Sequence, residues 1–346
     1  MKGGAVSEST SRKIAAFGFL GAFGVTMIHA AQPVPGDPAQ AGWWFYRLTA
    51  GVFGRLAVPF YFAVAGFFLA RRAEGAGWWK RETAKRWRTL AVPYFFWLAA
   101  WDVFAVGLTM LGNARSGAGA WARLPTGWDA LAFLGLHPFR EPFDIPLWFL
   151  RSLLLFVLVS PAVFALLRRF GAWFLAALFA ASLAAVADGA PEWARGLATK
   201  FVSVQGLFCF SAGAWLSLGG GRLPKGKAAG TAALLGIPGL VVSQWMDSRG
   251  LAGAQMVHAF FLPWALLAAW RAMPPVRWPR WLTGCTFAVY ILHVFVIRLL
   301  DLGLYGRTDC GVLLFKYAAG FGTALGAAVL LHRFFPRFSS FAFGGR

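Results

Sequence analysis

Nine ionisable side chains interrupt otherwise apolar stretches of this sequence: His29, Arg47, Arg55, Asp102, Arg151, His258, His293, Arg298 and Lys316. Taking such a group away from water costs several kcal/mol unless it is paired, lines a wet cavity or reaches a helix end, so each needs a reason. The chemistry on offer centres on histidine. A neutral imidazole accepts a proton from a hydroxyl near physiological pH, and His29, near the far end of the first apolar stretch, is placed to act as a general base. The plainer reading of a buried histidine is a hydrogen bond between neighbouring helices, which is what we expect of His258. Arg298, Lys316 and Arg47 can be read as long side chains snorkelling from helix ends to the interface. Arg55 sits too deep for that to be comfortable.

Composition decides what positions these groups. The chain has 346 residues, of which 59% are hydrophobic and 13% charged. A surface so poor in charge could not face water without large apolar patches, so lipid must be the solvent for most of it. The formal net charge of +20 invites a nucleic-acid reading, but the Lys and Arg lie in short clusters between apolar stretches instead of forming one basic face. Cys209, Cys285 and Cys310 fall in or near apolar segments without metal-ligand spacing, and neither a metal site nor a disulfide framework is expected. The expected fold is all-α, a polytopic bundle of about ten transmembrane helices.

Ten apolar stretches follow one another, near residues 14–31, 45–70, 90–111, 146–168, 171–187, 201–219, 228–245, 256–270, 282–300 and 311–331. A secretory leader is the rival reading of the first. Its apolar run exceeds the ~7–15 residues of such a leader, and Met27-Ile28-His29-Ala30 fits a small-x-small cleavage site poorly, so a retained helix is expected. Trp43 and Trp44 suit the outer interface. The segments 1–13, 71–88, 168–169, 221–227, 271–281 and 333–346 hold 21 of the 33 Lys and Arg and three of the 13 Asp and Glu. By the positive-inside rule that bias places both termini in the cytoplasm of a multi-pass inner or plasma membrane protein. The expected organisation is a cytoplasmic segment 1–13, one transmembrane domain 14–335 and a cytoplasmic tail 336–346.

Four stretches, in order, resemble the membrane acyltransferase-3 family. They are the opening helix ending in His29; Ala57-Val58-Pro59-Phe60-Tyr61-Phe62-Ala63-Val64-Ala65-Gly66-Phe67-Phe68-Leu69, with the basic run Lys80 to Arg88 and then Leu90-Ala91-Val92-Pro93-Tyr94-Phe95-Phe96-Trp97; Pro146-Leu147-Trp148-Phe149-Leu150-Arg151-Ser152-Leu153; and Thr286-Phe287-Ala288-Val289-Tyr290-Ile291-Leu292-His293. The resemblance covers roughly residues 14 to 331. It implies a ten-helix enzyme that takes an acyl group, often acetyl, from a cytoplasmic acyl-CoA and passes it to a hydroxyl of an extracytoplasmic glycan, lipid-linked sugar or other envelope acceptor. No tightly bound cofactor is implied; acyl-CoA is the donor substrate.

The resemblance makes His29 the essential histidine and assigns the donor's phosphates to Lys85, Arg86 and Arg88, which suits the strong affinity of Lys and Arg for phosphate. The positive-inside rule alone also accounts for that run. In a mechanism sketched on that reading, His29 takes the acceptor's proton or is itself transiently acylated, Arg151 or Arg55 steadies the tetrahedral oxyanion, Asp102 orients His29, Trp148 shapes the acyl tunnel and His293 contributes to substrate binding; His137 could touch the acceptor. Three positions depart from the family pattern. Gly18 stands where a basic residue is usual, Thr89 follows Lys85-x-x-Arg88 where a second Arg would complete a pair, and Ala65 replaces Ser. Two other readings remain: a secondary transporter for a small polar or glycosidic solute, although no related halves are visible, and a non-catalytic assembly partner.

Overall fold

The computed structural model describes residues 6–31, 41–116, 146–191, 203–219 and 226–345, and these are all-helical. The loop 117–145, with His137, lies outside the described residues. The main helices are α1 (Glu8–Ala30), α2 (Ala41–Tyr46), α3 (Ala57–Arg72), α4 (Trp78–Arg86), α5 (Val92–Ser116), α6 (Leu147–Phe170), α7 (Ala172–Ala184), α8 (Val204–Ser217), α9 (Gly226–Ser248), α10 (Ala254–Ala272), α11 (Arg280–Gly284), α12 (Thr286–Leu304), α13 (Cys310–Phe334) and α14 (Pro336–Ala342). Among the described residues, five helical segments are long and apolar enough to cross a membrane, including the continuous run Gly42–Arg72.

α1 begins six residues before the apolar stretch does, because Ser7 caps it: the Ser7 hydroxyl accepts from the Thr10 amide at 3.2 Å. Lys13 then reaches along the helix and donates to the carbonyl of Trp270 at the end of α10 (2.7 Å). From there α1 runs through the interior, against α3, α12 and α13. Close approach is permitted by small residues. A Cβ on Gly24 would stand 3.1 Å from the Gly54 Cα, and one on Gly54 would stand 2.7 Å from the Gly24 carbonyl oxygen.

The second apolar stretch is helical but irregular. A π-helical segment Arg47–Phe53 and a tight turn Gly54–Leu56 precede α3, and a second π segment, Trp87–Ala91, precedes α5. Pro59 and Pro93 follow within a few residues. A proline ring clashes with the carbonyl four residues back and offers no N–H, and a widened or tightened turn absorbs that conflict. Such interruptions often accompany functional sites.

α3 and α8 meet most closely. A Cβ on Gly66 would lie 1.9 Å from the Phe210 carbonyl oxygen, and one on Gly213 would lie 1.9 Å from that of Ala63. Lipid offers no hydrophobic drive to bring helices together, so backbone contact of this kind carries the association. Gly213→Leu should therefore cost about 3 kcal/mol or more through overpacking, read as a lowered melting temperature of the detergent-solubilised protein; an unchanged melting temperature would refute the crossing.

The tail does not hang free of the bundle. α14 folds back beneath α5, where Trp97 Nε1 donates to the Ala342 carbonyl (2.7 Å) and Phe343, fully buried, stacks on Trp97. His332 and Ser339 are hydrogen-bonded at 2.8 Å. Trp43 also departs from expectation. It is buried beneath the Arg47 guanidinium, 5.0 Å from the ring centre, and only Trp44 is exposed.

Candidate active site

His29 and His293 come together. One sits in the last turn of α1 and the other in the middle of α12, and their ring centres are 5.3 Å apart. His293 is fully buried, and its Nδ1 lies 3.1 Å from the carbonyl oxygen of Val289, one turn back on the same helix. A carbonyl can only accept, so Nδ1 carries the proton of the neutral ring. The lone pair is then on Nε2, which is buried without a hydrogen-bond partner. An imidazole with its tautomer set from behind and an unused acceptor in front is prepared to receive a proton.

Arg298 stands five residues beyond His293 on α12. Arg298 Nη1 lies 3.7 Å from Asp301 Oδ2, and Asp301 Oδ1 lies 2.7 Å from the Nζ of Lys316 on α13. Lys316 is wholly enclosed and Asp301 nearly so. This corrects the snorkelling reading of Lys316 and Arg298. Two intramembrane charges of opposite sign on facing helices pair instead of reaching outward, because burial without a partner is the costlier state. His293, Ile297 and Asp301 recur every four residues and are all buried, so one stripe of α12 carries histidine and carboxylate alike.

A cavity of about 540 Å³ is lined by Tyr290, one turn before His293, although neither histidine lines it. Arg72 and Arg86 stand at one end, Val64, Leu69, Leu153 and Phe287 form its sides, and Tyr61, Phe149 and Tyr290 close it. Tyr290 is one turn before His293, their ring centres 6.2 Å apart. Its hydroxyl donates to the Pro146 carbonyl, and that of Tyr61 donates to the Gly18 carbonyl. Both tyrosines are thereby held as fixed walls. At the basic end Glu82 lies between two cations, 3.6 Å from Arg86 and 3.9 Å from Arg72. Burial lowers the Arg86 pKa from its ordinary value; Glu82 opposes this and Arg72 adds to it. Two guanidiniums sharing one carboxylate leave net positive charge at the cavity mouth, a site for an anion.

Of the basic triplet, only Arg86 turns inward. Lys85 and Arg88 are exposed on the outer side and line neither this cavity nor its neighbour. From α6 the cavity is lined by Phe149, Leu153 and Val157, not by Trp148, which packs toward Phe62. Asp102 is buried with its Oδ1 unpartnered, and among the described residues no hydrogen bond or ion pair joins it to His29, so the expected carboxylate–histidine pair is not seen. Arg55 is exposed and couples to His258, not His29. His258 does bridge two helices, with Nδ1 3.2 Å from the Ser243 hydroxyl of α9. Arg151 is buried one turn into α6. Arg47 is clamped between Gln244 (3.1 Å), Asp247 and the Trp43 face. Sequence reasoning passed over Tyr61, Arg72, Tyr290 and Asp301, of which only Asp301 left a signal, eight residues and two turns from His293.

A comparison with protein-family models matched the acyltransferase domain across residues 19–333, nearly the whole chain and all of the site just described. No curated protein and no solved structure matched. The histidine of α1, the irregular α3 and the His293 helix all fall within the matched span, and the chain belongs to the membrane acyltransferase-3 family.

Proposed function

We propose that this acyltransferase takes an acyl group, acetyl in the first instance, from a cytoplasmic acyl-CoA and delivers it to a hydroxyl of an extracytoplasmic glycan or lipid-linked sugar. In this reading the chain crosses the plasma membrane ten times with both termini inside. The observation that carries it is the cavity between the Arg72/Arg86 mouth and the aromatic floor one turn short of the two histidines. A donor with several phosphates at one end and a thin, flexible, mostly apolar arm at the other suits that shape: charge held at the mouth, arm along Val64, Leu153 and Phe287.

In the chemical step the acceptor hydroxyl gives its proton to an imidazole of the His29/His293 pair as its oxygen bonds to the thioester carbonyl carbon. The negative charge that develops on the carbonyl oxygen is met by Arg298. Collapse breaks the carbon–sulfur bond, the proton passes from imidazolium to the leaving thiolate, and ester and free CoA remain. In this reading base and cation lie on one side of the thioester, and the acceptor enters from the opposite end of the bundle.

The test is acetyl-CoA binding by protein in lipid nanodiscs, with envelope glycans compared by mass spectrometry in cells with and without the protein. Binding, and a mass difference of one acyl group, are expected. Arg86→Ala should weaken acetyl-CoA binding by about tenfold, the loss of one charge-assisted hydrogen bond. Absence of binding, with CoA-independent solute flux in vesicles, would identify a transporter instead.

A further inference from the structure

A second cavity of about 460 Å³ adjoins the first and has no part in the path to the histidines. The two share Tyr61, Val64, Thr283, Gly284 and Thr286 among their lining residues, so they adjoin along the Tyr61 ring and the start of α12. The second cavity passes over Ile14 and Gly18 of α1 and ends at Arg280, the first residue of α11. Its room depends in part on Gly18. A Cβ there would sit 3.7 Å from the Tyr61 ring, and any longer side chain would project alongside that ring.

Each cavity has its own cation, Arg72 with Arg86 in one and the exposed Arg280 in the other. Arg280 has no carboxylate within ion-pair distance among the described residues, unlike Arg72 and Arg86, which share Glu82. Two adjoining cavities, each with its own cation, fit an anion whose charge is itself divided in two. Coenzyme A is such a molecule, with a diphosphate joining ribose to the pantetheine arm and a separate phosphate monoester on the ribose 3′ oxygen.

We infer that Arg280 binds the donor's 3′-phosphate, while Arg72 and Arg86 take the diphosphate from which the arm descends toward the histidines. This rests on the acyl-CoA reading above and adds a discrimination which that reading does not require: the enzyme distinguishes CoA from its 3′-dephospho form at one named side chain. Arginine suits the role because its planar fork pairs with two phosphate oxygens at once. The lack of a side chain at residue 18 leaves the second cavity open for the ribose.

The experiment measures kcat/KM for acetyl-CoA and for acetyl-3′-dephospho-CoA with wild type, Arg280→Ala, Arg280→Lys and Arg86→Ala, each in nanodiscs of zwitterionic and of anionic lipid. The wild type should prefer acetyl-CoA by about tenfold or more, the worth of one charge-assisted contact. Arg280→Ala should abolish that preference by lowering only the acetyl-CoA value, Arg280→Lys should keep part of it, and Arg86→Ala should lower both donors alike. An equal loss for both donors in Arg280→Ala, or a wild type with no preference, overturns the inference and leaves the acyl-CoA reading standing. A loss seen only in anionic lipid overturns it as well, since the phosphate that Arg280 meets would then be a headgroup. A wild type that uses neither donor removes the parent reading and this one with it.

Discussion

Replacing His29 with alanine should reduce acyl transfer by at least about a hundredfold, the usual worth of a positioned acid or base, while the protein still inserts and purifies as wild type. His29 is only partly buried and its ring lies 5.3 Å from that of His293, so its removal leaves the helix crossings of α1 at Gly24 and Gly54 in place. Steady-state release of CoA thiol gives the rate, and size-exclusion chromatography reports the fold. His293→Gln separates the two rings. Glutamine keeps a donor toward the Val289 carbonyl but has no basic nitrogen, so a large loss there assigns the proton to Nε2 of His293. A His29→Ala protein with full activity would show that the pair is a structural contact and nothing more.

The second large effect is on stability and comes from Lys316→Met. Methionine fills the same volume, but the Asp301 carboxylate loses the ammonium 2.7 Å away and keeps only the more distant Arg298 at 3.7 Å. Breaking one side of a buried ion pair costs about 3–5 kcal/mol, whereas replacing both sides with apolar groups is often neutral. The double variant Asp301→Leu/Lys316→Met should accordingly recover most of the melting temperature lost in Lys316→Met. Activity is expected to part company with stability here. Arg298 would no longer be drawn along α12 by its carboxylate three residues on, and the double variant should stay slow even when well folded. Equal melting temperatures for wild type and Lys316→Met would show that the pair contributes nothing. A double variant as active as wild type would separate Arg298 from the chemistry.

The charge pattern and the apolar stretches determined a great deal. A chain 59% hydrophobic, with its cations gathered in short clusters, has few outcomes other than a helical membrane bundle, because backbone groups in lipid must bond within their own segment. The order of motifs around His29, Pro59, Leu147 and His293 led to the family, and the four-residue recurrence of His293, Ile297 and Asp301 was legible in principle. What one dimension withheld is which buried groups meet. Asp102 and His29 looked like partners by type and do not pair, whereas Lys316 looked like a surface-seeking end and is locked to Asp301. Lys85, Arg86 and Arg88 are equivalent in the sequence; only the rotation of α4 against the π turn that follows decides that Arg86 alone enters the cavity. Side-chain chemistry and periodicity are local and can be read along the chain. The azimuth of one helix against another is set by backbone contacts such as Gly66 with Phe210 and Gly24 with Gly54, and these exist only once the helices have packed.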